Sequence, residues 1–213
     1  MKILSINVGV PRTVQWQGRD VFTSIFKKPV KGVLRVSALN IEGDRQADLS
    51  VHGGEDKAVY AYSFDTYPKW KEILGLNSLE YGAMGENLTL DHLDETQVCV
   101  GDVFELGTCQ LEAVQPRFPC FKLALKYNDP SIVQAFNRFL RSGVYFRVRK
   151  EGKIETGNEL KLTQSEEIKV SIHELFRFYL DHRTVSSERA AEIARVPSLN
   201  GYWKEKFIQI ARF

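Results

Sequence analysis

The residues best able to do chemistry gather around one sulfur. In Gln115-Pro-Arg-Phe-Pro-Cys-Phe-Lys122, two prolines stiffen the backbone that leads into Cys120, and Arg117 and Lys122 flank it. A cation beside a thiol favours the thiolate, the form that attacks electrophiles and binds soft metals. The charge pattern sharpens this. No Lys or Arg occurs from residue 72 to residue 116, eight acids follow Glu72 in that span, and Arg117 breaks the run three residues before the thiol. The plainer alternative is a buried loop cysteine, the usual fate of an unpaired one. Cys99 and Cys109 lie in apolar, strand-like runs and fit that alternative. Three cysteines without CxxC pairing argue against a disulfide framework and a structural zinc site.

Three further segments suit an anion. Gly43-Asp-Arg-Gln-Ala-Asp48 is followed by His52-Gly-Gly-Glu-Asp-Lys57. Consecutive glycines let backbone N–H groups turn toward an anion, and Arg45, His52 and Lys57 could complete a phosphate cradle. A polar loop with a glycine turn is the competing interpretation, and His52 alone could be structural. Lys27, Lys28, Lys31 and Arg35 place four bases within nine positions without an acid. That is half of an anion site or a strand edge guarded by lysines. Gly82-Ala-Met-Gly-Glu-Asn-Leu-Thr89 suits close backbone approach to a ligand, or a tight turn in which Asn87 bonds the local backbone. No GxGxxG, Walker A, HExxH or GxSxG occurs, and His52, His92, His173 and His182 do not cluster at metal-ligand spacing. The pattern argues against nucleotide, zinc and serine hydrolysis. From the residues alone, the chemistry is an anionic ligand near a reactive thiol.

The elements that must position these groups are mostly short strands, giving a mainly β chain with helices. Segments 2–8, 32–39, 57–63, 97–100, 103–106, 110–115, 143–149 and 159–162 read as strands, punctuated by Gly, Asp and Asn turns. So many short strands suggest a closed or nearly closed barrel, because closure removes exposed edges. An amphipathic helix is expected over 64–74. A second follows Asp129-Pro130 and keeps helical spacing through Ile132, Val133, Phe136, Phe139 and Leu140 to Gly143. After residue 170 the pattern becomes helical: Ser171-Ile-His-Glu174 has capping-box spacing, a second helix follows Ser186 and a third begins near Ser198. The expected organisation is a barrel domain over 1–170 and a three-helix domain over 171–213 that docks on it.

Composition bounds the function. The 213 residues carry a net charge of +2, too balanced to argue for a polyanion partner. The tail loosely resembles a helix-turn-helix, but it has little excess positive charge and its Tyr202, Trp203, Phe207 and Ile210 look like a docking face, so no nucleic-acid partner is expected. No apolar run approaches the roughly 18 residues a membrane helix needs, so no membrane partner is expected. The N-terminal segment reads as an opening strand, and the expected location is the cytoplasm.

Taken together and in order, SIFKKPVKG, GDRQADLSVHGGEDKAVYAYS, GENLT, GDVFELG, QPRFPC and GVYFRV resemble the MOSC family, named for the C-terminal domain of molybdenum-cofactor sulfurases, and within it the bacterial YiiM-type group. The pieces span residues 24–148, and the helical tail is similar to that group's C-terminal domain. Ser24 and Asn158 depart from the group's pattern. The resemblance implies a MOSC-type β-barrel with peripheral helices that binds molybdenum cofactor (molybdopterin). It implies Cys120 as the metal ligand and catalytic residue, and Lys27, Arg45, His52, Lys57, Asn87, Arg117 and Arg147 as cofactor-binding residues. It also implies an oxidoreductase that reduces N-hydroxylated substrates, such as 6-hydroxylaminopurine-like bases, to amines. The chain shows no flavin, haem or iron–sulfur motif, so electrons are expected from a separate flavoprotein. The same residues would equally serve a carrier of the cofactor or of a persulfide sulfur. A homodimer is the default expectation for assembly, since twofold dimers are the commonest oligomers.

Overall fold

The computed structural model of the chain describes residues 1–47 and 53–212. The N-terminal half supplies β1 (Ile3–Val8), a hairpin of β2 (Arg12–Trp16) and β3 (Arg19–Thr23), β4 (Lys28–Val30), β5 (Leu34–Val36), β6 (Val59–Ser63), the helix α1 (Tyr67–Leu74) and β7 (Leu88–Leu90). Next come β8 (Val103–Leu106), β9 (Cys109–Pro116), the helices α2 (Phe121–Tyr127) and α3 (Ile132–Phe139), β10 (Val144–Lys150), β11 (Gly152–Ile154) and β12 (Lys161–Gln164). The tail forms α4 (Ile172–Leu180), α5 (Ser187–Ile193) and α6 (Gly201–Ile210).

Among the described residues, eight strands make one mixed sheet in the order β12-β8-β9-β10-β6-β7-β1-β4. Strand β5 pairs with β11 in a separate two-stranded sheet, and β2 pairs only with β3. The ladder does not close into the expected barrel, because β12 and β4 end as edges. The sheet does curl toward itself: Ile3 N–H donates to Asn158 O at 2.9 Å and Leu160 N–H to Met1 O at 2.8 Å, which brings the approach to β12 against β1.

Strand β6 explains the layering. Its five residues, Val-Tyr-Ala-Tyr-Ser, are all buried, so both faces are covered. With the two-residue period of a strand, Val59 and Ala61 enter one apolar cluster while Tyr60 and Tyr62 enter another. The first cluster fills one side of the sheet with Ile6, Leu88, Leu111, Phe146 and others. The second packs α1, α2 and α3 behind it through Trp70, Leu123 and Phe136.

The tail starts where the sequence indicates. Glu174 N–H donates to Ser171 Oγ at 3.0 Å, Arg189 N–H to Ser186 Oγ at 3.2 Å and Trp203 N–H to Asn200 Oδ1 at 3.2 Å. Its Leu175, Phe178, Trp203 and Phe207 are buried in the same cluster as the sheet residues. Each large apolar side chain so buried contributes roughly 1.5–3 kcal/mol. No helix among the described residues is long and apolar enough to cross a membrane.

Candidate functional site

Strand β9 runs to Pro116 and delivers Arg117, Phe118 and Cys120 to the mouth of a cleft, with Cys120 at the residue that opens α2. The cleft holds about 700 Å³ of space, part of it open to solvent. Among the described residues its walls carry five cations, Lys27, Arg45, Lys57, Arg117 and Lys122, against one carboxylate, Asp44. Cys120 is half-buried there, and Asn87, Tyr60 and Tyr145 complete the lining.

Arg117 is almost wholly buried, and its Nη1–H donates to Met84 O. Its guanidinium lies 5.0 Å from the centre of the Tyr60 ring. Burial works against its charge, but Tyr60, Tyr145 and Cys120 outweigh that and raise its pKa. The thiol therefore sits in the field of a fixed cation. Gly85 lets this happen: its φ is +80°, and a Cβ there would meet Ile25 Cγ1 at 3.1 Å and Arg117 Nη1 at 3.6 Å.

Asp44, which the sequence analysis did not single out, organises the opposite wall. Its Oδ1 accepts from Gly9 N–H at 2.7 Å and from Lys27 Nζ at 2.5 Å, and its Oδ2 accepts from Asn87 Nδ2 at 2.9 Å. Burial lowers the Lys27 pKa, and Asp44 opposes that shift. Asn87 bonds distant strands rather than its own turn: its Oδ1 accepts from Tyr60 N–H at 3.1 Å and its Nδ2 donates to Asn7 O at 3.3 Å. The turn itself is held by Glu86, a fully buried carboxylate that accepts from Tyr67, Thr89 Oγ1, Gly82 N–H and Met84 N–H. Nothing local sets Asp44 apart from Asp48, Glu55 and Asp56 in the same stretch of sequence.

The basic segment divides. Lys27 enters the cleft, whereas Lys28 pairs with Glu80 at 2.5 Å and Arg35 with Glu151 at 2.8 Å on the surface. His52 lies outside the described residues. Arg147 is not a wall of the cleft. Its Nε donates to Asp56 Oδ1 at 2.9 Å and its Nη1 to Glu112 Oε2 at 3.5 Å, so it anchors the Glu55–Lys57 turn that presents Lys57. Cys99 and Cys109 are buried, and burial pushes the Cys109 thiol up to about 11.

This donor set, one soft thiol amid cations and N–H groups, fits a metal that arrives within an anionic organic ligand. The thiol supplies one bond, and the cations suit phosphate and other anionic oxygens. Among the described residues, no group of three or more His, Cys, Asp and Glu is placed to hold a metal ion.

The comparisons agree with this geometry. The family model described as "MOSC domain" matches residues 48–161. The uncharacterised protein YflK of Bacillus subtilis is 38% identical over 208 residues, 97% of this chain and 93% of that one. A protein of Gibberella moniliformis named Reductase is 33% identical over 183 residues, 84% of this chain, which spans only 32% of that longer protein. The crystal structure of YiiM from Geobacillus stearothermophilus superposes with a TM-score of 0.80 at 36% identity, covering 98% of this chain and 97% of that one. Matched by the domain over half its length and by relatives over nearly all of it, the chain belongs to the MOSC domain family, among its YiiM-type members.

Proposed function

We propose that the protein is a molybdenum cofactor-binding oxidoreductase that reduces N-hydroxylated compounds, of the 6-hydroxylaminopurine type, to amines. The observation that carries this reading is the convergence of Cys120 with Lys27, Arg45, Lys57, Asn87 and Arg117 on one cleft. The MOSC family association supports the cofactor, and the relative named Reductase supports redox chemistry. In the overall reaction the N–O bond breaks, two electrons and two protons are consumed, and the products are an amine and water. The electrons come from a separate flavoprotein, and the setting is cytoplasmic. When bound, the cofactor supplies the two-electron chemistry.

The chain's own residues bind and orient. The Cys120 sulfur is the protein's bond to the metal. Arg117, locked to Met84 O, keeps positive charge beside that sulfur. Lys27, Arg45 and Lys57 hold phosphate and anionic oxygens, and Asn87, whose amide is taken up by Asp44, Asn7 and Tyr60, belongs to the set as the residue that ties the cleft walls together. His52 belongs to the same proposed set. Arg147 acts through Asp56 by holding the Lys57 turn, and is a positioning residue.

The test is metal analysis of protein expressed in a host that makes molybdenum cofactor, together with reductase assays. Molybdenum should co-purify, and Cys120→Ala should abolish reduction. Full activity in that variant removes the proposal.

A further inference from the structure

A second, solvent-open cavity of about 1000 Å³ adjoins the thiol cleft and shares Lys57 and Phe118 with it. Three aromatic rings from three separate elements converge on it. These are Phe118 ahead of Cys120, Tyr179 of α4 and Tyr202 of α6. The Phe118 and Tyr179 ring centres are 4.1 Å apart. Behind them the buried Trp203 lies 5.7 Å from Phe118 and 5.2 Å from Tyr202, so the wall is backed by packed core. Yet Tyr179 is 42% exposed and Tyr202 58% exposed, on helices whose neighbouring Phe178 and Trp203 are fully covered. Such ring surface beside a cavity offers faces on which a flat ring stacks.

The polar side of the cavity is equally specific. The Asp56 carboxylate is held by Arg147 Nε at 2.9 Å and by Asn200 Nδ2 at 3.3 Å. Arg147 Nη2 also donates to Oδ1, so the carboxylate keeps an acceptor position on Oδ2, which suits the amino or N–H edge of a ring.

We infer that this cavity is the seat of the substrate's ring: a planar heteroaromatic group with a donor edge, stacked on Tyr202 and Tyr179, read by Asp56, and directed past Phe118 toward Cys120. The inference rests on the proposed reductase reading and gives the C-terminal helices a role in choosing the substrate.

The experiment is calorimetric titration of the full-length protein with adenine, a flat ring with an amino edge, and with cyclohexylamine, a donor without a flat ring. Adenine should bind and cyclohexylamine should not. Tyr202→Ala and Tyr179→Ala should each weaken adenine about tenfold, the scale of one lost stacking contact. Tyr202→Phe, which keeps the ring, should bind as the parent does. The titration reads binding without turnover, so failure of the redox reading leaves this result standing. Adenine binding unchanged in both alanine variants, or absent from the parent protein at millimolar concentration, overturns the inference even where reductase activity is present.

Discussion

One buried carboxylate determines the shape of the cleft. Asp44 ties the backbone after β1, the basic segment and the Gly82–Thr89 turn through Gly9, Lys27 and Asn87. Removing it strands Lys27, whose side chain is only 10% exposed, without its counter-charge. Breaking a buried pair in this way costs about 3 kcal/mol. Asp44→Ala should therefore lower the urea-unfolding free energy by about that amount, while Asp44→Asn, which retains an acceptor for Asn87, should lose less. Equal stability of Asp44→Ala and the parent would show that the carboxylate is not the hub. The residues of the cleft were largely visible in the sequence as residue types, since Cys120, Arg117, Lys27, Arg45, Lys57 and Asn87 all line it. Their partners were not. The Asp44–Asn87 bond joins positions 43 apart and the Arg147–Asp56 bond joins positions 91 apart, and no local pattern records such pairings. The family resemblance places Arg147 among the cofactor-binding residues, but its acidic neighbours in space, Asp56 and Glu112, lie far from it in the sequence.

Elements were legible where capping or periodicity was strong. Helices α4 and α5 begin at the expected Ser171 and Ser186, α6 is capped by Asn200 two residues past the expected Ser198, and the helix near Asp129 exists, although Leu140, at φ +58°, ends it rather than Gly143. Gly143 has another task. Its φ is +67°, and a Cβ would fall 2.5 Å from Ala61 O, on the neighbouring strand β6. Gly143→Ala should therefore displace β10 from β6 and cost at least about 2 kcal/mol, read as a lowered urea midpoint. An unchanged midpoint would mean the two strands can separate freely. The β2–β3 hairpin and β4 carry no strand signal, each for its own reason. The β2–β3 hairpin is mostly exposed and turns at Gln17-Gly18, both with positive φ, so neither alternation nor an Asn-Gly signal marks it. Strand β4 contains Pro29 and survives because it is an edge. The apolar 97–100 run reads as a strand but forms turns, with only a Cys99–Ser171 bridge, because burial alone drew those residues inward.

Across the whole molecule, the boundary near residue 170 marks a change of element type more than a break in the core. Trp203, Phe207, Leu175 and Phe178 share one apolar cluster with Ile6, Leu111 and Phe146, and Phe176 of the same helix α4 enters the cluster behind the sheet. Ile172 N–H also donates to Val98 O at 2.9 Å and His173 N–H to Glu95 O at 2.8 Å, so the start of α4 is hydrogen-bonded to the loop ahead of β8. A tail of this size buries too little by itself to fold alone. Unfolding should accordingly be a single cooperative event. In a variant that keeps Trp203 alone, with Trp16 and Trp70 changed to Phe, the fluorescence midpoint in urea should coincide with the far-ultraviolet circular dichroism midpoint of the same protein. A lower midpoint for the Trp203 reporter would mean that the tail releases first. The aromatic wall of the second cavity would then be a removable cover, whereas coincident midpoints would make Tyr179 and Tyr202 as fixed as the sheet that carries the path to Cys120.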